Sequence, residues 1–171
     1  MERHFFAVWP DGEAAKRLAG LARELAVVAD GKPVAQDKIH LTVAFLGALD
    51  ANGAARAREA GAAIRVAAFD LVVDRLGSFR GARVAWAGSG VVPPGLARLH
   101  AALAQELRAR GLELEERDFT PHVTLARKIR RAVERRATEA IAWRADALTL
   151  VRTEAGSGGY KVVERWILEG P

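Results

Sequence analysis

Two tripeptides of the same form have residue types suited to acid–base chemistry: His40-Leu41-Thr42 and His122-Val123-Thr124. Each places an imidazole and a hydroxyl on either side of one aliphatic residue. Side chains of a β-strand alternate between its two faces, so the histidine and the threonine of each motif would share a face. Residues on one face follow each other at about 6.5–7 Å. That spacing suits one phosphate held between an imidazole and a hydroxyl.

If the two motifs face each other across a cleft, they bring together two imidazoles and two hydroxyls. Hydrolysis of a phosphodiester requires that the attacking oxygen lose a proton and that the leaving oxygen gain one, on opposite sides of phosphorus. Two histidines can divide this work near neutral pH because the unperturbed imidazole pKa is about 6.5. One such motif would be weak evidence, since an isolated strand histidine is usually structural. Two at corresponding places in the two halves of the chain favour a catalytic site.

A metal centre is the rival chemistry for a pair of histidines. Neither motif contains an acidic ligand, and two imidazoles leave a zinc ion undercoordinated. The chain has no cysteine, which excludes disulfides, thiolate zinc sites and a thiol nucleophile. Asp37 and Asp118 lie near the motifs in sequence and keep a metal site open as an alternative. We predict a site without a metal or any other cofactor.

The elements that must position the motifs are predicted in the same order in both halves of the chain. Short apolar runs predict strands, and apolar residues at helical spacing predict helices. The first half is predicted to run strand, helix, strand, helix, strand, with Asp11 and Asp50 capping its helices. The second half is predicted to repeat that order, and its second helix is marked by Ile129, Val133, Ala137 and Ala140.

The bulk composition is that of an ordinary globular chain. Half of the 171 residues are hydrophobic and the net charge is +5, which fits a polyanionic ligand or an arginine-rich solvated surface. The length predicts a single domain over 1–171, or two small lobes that share a core. The opening apolar run is too short for a signal peptide, and no stretch reaches the ~20 apolar residues of a membrane span. We therefore predict a cytoplasmic protein without membrane contact.

The segments around both motifs resemble a known family. KIHLTVAFLG at 38–47 and FTPHVTLAR at 119–127 are similar to the two signature motifs of the 2H phosphoesterase superfamily. Within it they most resemble the RNA 2′,3′-cyclic phosphodiesterases, also called 2′-5′ RNA ligases. The opening RHFFAV and the closing GYKVV also fit that branch. The resemblance implies an α+β, bilobal, pseudo-two-fold fold, in which two antiparallel sheets form a V-shaped cleft and the helices pack outside.

The resemblance also implies a reaction, which is metal-free hydrolysis of an RNA 2′,3′-cyclic phosphate to a 2′-phosphate end. His40 would be the general acid that protonates the leaving 3′ oxygen, and His122 the general base that activates water. Thr42 and Thr124 would bind the phosphate, and Arg127 matches a family position that contacts it. The partner would be RNA ending in a cyclic phosphate, with tRNA fragments as one candidate, and the enzyme is expected to be a monomer.

Phe45 lies three residues after Thr42, and Arg127 lies three residues after Thr124. Strict alternation would place Arg127 on the face opposite His122, so it belongs to the site only if the strand bulges or ends after Thr124. Phe45 is expected either to floor a nucleotide pocket or to pack in the core. A basic track for RNA, or the solvated face of the predicted helix, would use Lys128, Arg130 and Arg131.

The sequence is compatible with several other functions. The same two histidines would join RNA ends through a 2′-5′ bond if a 5′ hydroxyl replaced water. A small cyclic nucleotide or an ADP-ribose cyclic phosphate would be an alternative substrate. A non-catalytic RNA-binding module is a further alternative, against which the two intact motifs argue. His4 and His100 match no motif and are expected to be structural.

Overall fold

The computed structural model describes residues 2–114 and 119–170. These ranges contain three α-helices and nine strands. Their bounds are β1 (Arg3–Val8), α1 (Gly12–Val28), β2 (Lys32–Pro33), β3 (Leu41–Ala48), α2 (Ala51–Ala62), β4 (Phe69–Phe79), β5 (Val84–Gly88), α3 (Pro94–Ala109), β6 (His122–Arg127), β7 (Arg136–Ala145), β8 (Ala147–Thr153) and β9 (Tyr160–Ile167). Among the helices in the described ranges, none combines the length and the apolar character that a membrane span requires.

The strands form two antiparallel groups of four, which meet at the strands that carry the motifs. One group runs β7-β4-β5-β6 and the other β3-β1-β8-β9, and β2 pairs with the end of β6. Within the described residues, β3 and β6 pair through Leu41 and Val123 only. Each group is therefore a sheet of its own over most of its length, and the single pair joins them. The predicted α+β fold with two antiparallel sheets is confirmed.

The helices pack their apolar faces on these sheets, and two of them begin where the sequence predicts. The Asp11 carboxylate accepts a hydrogen bond from the backbone of Ala14 (2.8 Å), and Asp50 does the same for Gly53 (2.7 Å). Both side chains thus satisfy an amide that has no partner within its helix. The core joins both halves of the chain, and its largest fully buried side chains are Phe6, Leu18, Leu25, Ile39, Leu41, Leu71, Leu96, Leu99, Leu103, Leu107, Leu125 and Leu148.

The helix predicted over 129–140 is wrong. The chain runs irregularly after β6 and then forms β7, which pairs with β4. In the second half of β7 buried residues alternate with exposed ones, which is the period of a strand. The helical spacing depends on Ala137 and Ala140, but both side chains are exposed. Pairing along the edge of β4 therefore outweighs a weak helical preference, and the second half does not repeat the element order of the first.

Candidate active site

The two motifs lie at the junction between the sheets. Their central residues, Leu41 and Val123, face each other in antiparallel register, and each is 1% exposed to solvent. Both point into the core, so alternation sends their neighbours to the opposite face. Aliphatic packing on one side thus determines which residues face the cleft on the other.

The neighbours on the cleft side are the two histidines and two threonines, all partly buried. Continued from the central pair, the register would place His40 opposite Thr124 and His122 opposite Thr42. The two histidines would then be diagonal neighbours, whose Cβ atoms are typically roughly 7–8 Å apart across antiparallel strands. A separation of that size would accommodate one phosphate group. In this register the arrangement would be two-fold, with each imidazole opposite the threonine of the other motif.

Both imidazoles are held in the same way. His40 Nδ1 lies 2.8 Å from the carbonyl oxygen of Lys38, and His122 Nδ1 lies 2.9 Å from that of Thr120. A carbonyl only accepts hydrogen bonds, so each Nδ1 must donate, and each neutral ring then carries its lone pair on Nε2. His40 Nε2 lies 3.2 Å from Thr42 Oγ1, where the hydroxyl donates to it. Both rings therefore leave Nε2 for proton transfer.

Three aromatic rings enclose His40. Phe5 and Trp9 stack on the imidazole, with ring centroids 5.0 Å and 4.8 Å away, and Tyr160 presents its edge at 5.4 Å. The Trp9 indole also donates a hydrogen bond to the carbonyl of Asp37 (3.2 Å). This bond ties the stacking ring to the turn that precedes the histidine. This enclosure is not predicted from the sequence, although Phe5 and Trp9 share one face by period-two spacing.

The enclosure gives His40 an unusual electrostatic environment. Burial lowers the pKa of His40 from 6.5 to about 4; the hydrogen bond to the Lys38 carbonyl opposes this, and electrostatic interactions with Arg127 and His122 add to it. His40 is therefore neutral at pH 7, with Nε2 able to accept a proton. His122 meets the edge of the Phe79 ring at 5.0 Å. The two-fold arrangement of the motifs thus does not extend to their surroundings.

Both motif strands carry a bulge directly after the threonine. In β6 the register with β5 shifts between Thr124 and Ala126, which leaves Leu125 without a partner in β5. In β3 the register with β1 shifts between Thr42 and Ala44 in the same way. One extra residue reverses the alternation of side chains beyond it. The residue three places after each threonine therefore returns to the cleft face.

The two bulges determine the face of the strand on which Arg127 and Phe45 lie. The bulge after Thr124 is the condition that the sequence set for Arg127 to face the cleft. The charge of Arg127 acts on His40, and its side chain lines a cavity of about 310 Å³ with Lys38 and Tyr160. We call this space the basic cavity. Phe45 is 46% exposed, so the expectation that it packs in the core is wrong. Its ring remains accessible at the equivalent place of the first motif.

The remaining histidines have structural contacts, as the sequence predicts. His4 is 4% exposed, and its Nδ1 lies 3.2 Å from the Glu2 carbonyl. His100 stacks on Phe119 with centroids 3.9 Å apart, and its Nδ1 lies 2.9 Å from the carbonyl of Val43. Since Val43 is the extra residue of the β3 bulge, this hydrogen bond from α3 stabilises the bulge.

The described residues offer no set of side chains for the alternative metal site. Within 2–114 and 119–170, no group of three or more histidine, aspartate or glutamate side chains could hold a metal ion. Asp37 is exposed and contributes its backbone carbonyl to Trp9. Asp118 lies outside the described residues.

Several known proteins are similar to this chain in sequence. A family model described as the 2′-5′ RNA ligase superfamily matches residues 10–157. The RNA 2′,3′-cyclic phosphodiesterase of Escherichia coli K12 is 37% identical over 103 residues, which cover 60% of this chain and 58% of the relative. The protein of the same name from Aeropyrum pernix is 34% identical over 99 residues, 56% of each chain. The matched segments thus span just over half the length of these relatives.

Solved structures match over nearly the full length. E. coli LigT complexed with 3′-AMP superimposes with a TM-score of 0.87 at 29% identity, covering 98% of both chains. The protein TT0787 of Thermus thermophilus gives 0.82 at 26% identity, again over 98% of both. The described sheets, helices and motif strands therefore follow a fold already seen in these proteins.

Proposed function

This chain belongs to the 2′-5′ RNA ligase superfamily, and on that premise we propose that it hydrolyses RNA 2′,3′-cyclic phosphate ends to 2′-phosphate ends without a metal ion. The observation that carries the proposal is the matched pair of imidazoles, each tethered through Nδ1 and each leaving Nε2 for the cleft. Two of its curated relatives bear the name of this activity. A monomeric, cytoplasmic enzyme of one domain, acting on RNA that includes tRNA fragments, remains part of the prediction.

In the proposed reaction a water molecule attacks phosphorus, and His122 Nε2 takes its proton. The bond between phosphorus and the 3′ oxygen breaks, and His40 Nε2 gives that oxygen a proton. The products are a free 3′ hydroxyl and a 2′-phosphate. Thr42 and Thr124 donate hydrogen bonds to the non-bridging oxygens, where negative charge accumulates, and Arg127 adds its guanidinium.

His40 must gain a proton before it can act as the acid, because it is neutral in the free protein. An anionic phosphate beside the ring favours the charged form and raises the pKa of His40. Protonation also changes the partner of Thr42, whose hydroxyl donates to Nε2 in the free protein. Once Nε2 carries a proton, that hydroxyl is released to donate to the phosphate. Substrate binding thus prepares the acid and the oxyanion ligand together.

Joining of RNA ends through a 2′-5′ bond is the second candidate, and the description of the matching family favours it. By microscopic reversibility the same histidines run the step backwards when a 5′ hydroxyl replaces water. RNA halves that carry a cyclic phosphate and a 5′ hydroxyl test this. Joined product at high RNA concentration supports it, and its absence there counts against it.

The proposed hydrolysis is tested with an oligonucleotide that ends in a 2′,3′-cyclic phosphate, in the presence of a chelator. The position of the phosphate in the product is then determined. We expect a 2′-phosphate, with rate losses of about 10²–10⁴-fold for His40→Ala and for His122→Ala, the usual contribution of a general acid or base. His4→Gln, in a histidine away from the cleft, is the matched control. Full activity in either motif variant refutes the mechanism.

A further inference from the structure

The basic cavity is lined by four cationic side chains, Lys32, Lys38, Arg127 and Lys128, together with the ring of Tyr160. None of the described residues that line it is acidic. It adjoins the proposed site directly. Tyr160 also presents its edge to His40, and the Lys38 carbonyl holds the Nδ1 atom of that histidine.

The charges in this cavity are not neutralised within the described protein. Lys32 and Arg127 are direct partners across β2 and β6, and like charges in that position repel. Neither they nor Lys128 forms an ion pair with another described residue. By contrast, Arg130, just beyond them, lies 3.8 Å from the carboxylate of Asp30. Such unpaired cations around a concave space are the arrangement that attracts an anion.

The backbone holds this arrangement in place at a conformational cost. Lys128 has a φ of 55°, in the left-handed region that residues other than glycine rarely adopt. The turn is secured by Arg83, whose Nε donates to the carbonyl of Ile129 (3.1 Å). On the other wall, the amide of Val34 donates to Leu125 (2.8 Å) and keeps β2 against β6. The cations are therefore presented by a secured scaffold rather than by a free loop.

We infer that the basic cavity binds a second phosphate of the RNA end, while the cyclic phosphate lies between the histidines. This rests on the proposed function. RNA that ends in a 2′,3′-cyclic phosphate continues only in the 5′ direction, so its next phosphate is the one on the 5′ oxygen of the terminal nucleotide. Lys32, Lys38 and Lys128 bind that phosphate, and Tyr160 forms the wall between the two phosphate positions. The substrate class is thus a nucleotide or RNA with a 5′-phosphate, rather than a nucleoside cyclic phosphate.

Equilibrium binding tests this without turnover. Adenosine 2′-monophosphate and adenosine 2′,5′-bisphosphate differ only in the 5′-phosphate, and calorimetry at low salt measures both. We expect the bisphosphate to bind roughly tenfold more tightly, as charge-assisted hydrogen bonds allow, with the advantage shrinking as salt is added. In Lys32→Gln/Lys128→Gln the two ligands should bind within about twofold of each other. Lys16→Gln, on the exposed side of α1, is the matched control and should keep the preference.

Equal affinities in the unsubstituted protein overturn the inference, and so does a double variant that keeps the preference. If the double variant does not fold, the single Lys32→Gln variant must still reduce the preference. Turnover separates this inference from the proposed function. Adenosine 2′,3′-cyclic phosphate is hydrolysed with and without a 5′-phosphate, and kcat/KM values are compared. Hydrolysis without a preference overturns the second-phosphate site and leaves the function standing. No hydrolysis of either refutes the function, and the binding preference still decides the site.

Discussion

Replacing Trp9 with alanine should raise the pKa of His40. The indole and the Phe5 ring both stack on the imidazole, with ring centroids 4.8 Å and 5.0 Å away. Burial is the largest cause that lowers the pKa of His40 from 6.5 to about 4. Removing one of the two stacking rings admits water to the charged form of the imidazole and so reduces the desolvation penalty.

The size of the effect follows from the structure. The difference between 6.5 and about 4 for His40 corresponds to about 3 kcal/mol, at 1.36 kcal/mol for each pH unit. Trp9 is one of the two rings stacked on His40, so its loss should return roughly one pH unit of that difference. Arg127 and His122 still repel the charged form, and they should keep the pKa of His40 in the variant below 6.5.

Nitrogen-edited NMR titration of the imidazoles between about pH 3.5 and 8 measures this directly, with His40→Gln to assign the resonance. Trp166→Ala is the matched control, because Trp166 is also half-buried but packs on Phe6 (6.1 Å) instead of a histidine. It should leave the pKa of His40 unchanged. Titration of His40 near 6.5 in the unsubstituted protein, or a His40 midpoint that stays near 4 in Trp9→Ala, would show that the stacked rings do not lower its pKa.

The same pKa makes the folding stability depend on pH. Between about 4 and 6.5, His40 is protonated in the unfolded chain but neutral in the folded one. The unfolded state therefore binds more protons, and the free energy of unfolding rises with pH across this window. Above pH 6.5 the lowered pKa of His40 has no effect on the free energy of unfolding. At and below pH 4 it reduces that free energy by up to about 3 kcal/mol. Denaturant titrations at pH 4 and 7 should show a smaller pH dependence in Trp9→Ala.

Three further outcomes are expected. Thr42→Val and Thr124→Val should each lower kcat by about 10²–10³-fold with little change in folding stability, since each removes one donor to the developing charge; unchanged kcat would exclude that threonine from the phosphate site. Gly31→Ala should destabilise the fold by about 1–3 kcal/mol, because the new Cβ would lie 2.7 Å from Ile129 Cγ2 and 2.8 Å from the Arg127 carbonyl oxygen. Denaturant unfolding measures this, and Gly12→Ala is the control, since no other part of the protein lies within 4 Å of its new Cβ. Adenosine 2′-monophosphate at saturation should raise the pKa of His40 in the NMR titration, and a midpoint that stays near 4 would contradict the proposed acid role.

Much of the site was predictable because it depends on local chemistry and strand periodicity. Period-two spacing identified the cleft-facing pair in each motif, and buried Leu41 and Val123 confirm the opposite face. Helix caps at Asp11 and Asp50 were predictable for the same reason, since a cap bonds an amide three residues away. The predicted helix over 129–140 failed where the pattern was weak and the pairing partner lay far along the chain.

Alternation along a strand is a local property, so the paired presentation of two imidazoles and two hydroxyls follows from the sequence alone. What distant residues contribute to the site depends on the folded chain. The sequence did not determine that Arg127 returns to the face of His122 and Thr124, since that needs the bulge in β6, which exists only against the register of β5. Nor did it determine that Phe5, Trp9 and Tyr160 converge on His40. Burial of an ionisable group depends on contacts between remote segments, so the lowered pKa of His40 arises only in the folded chain.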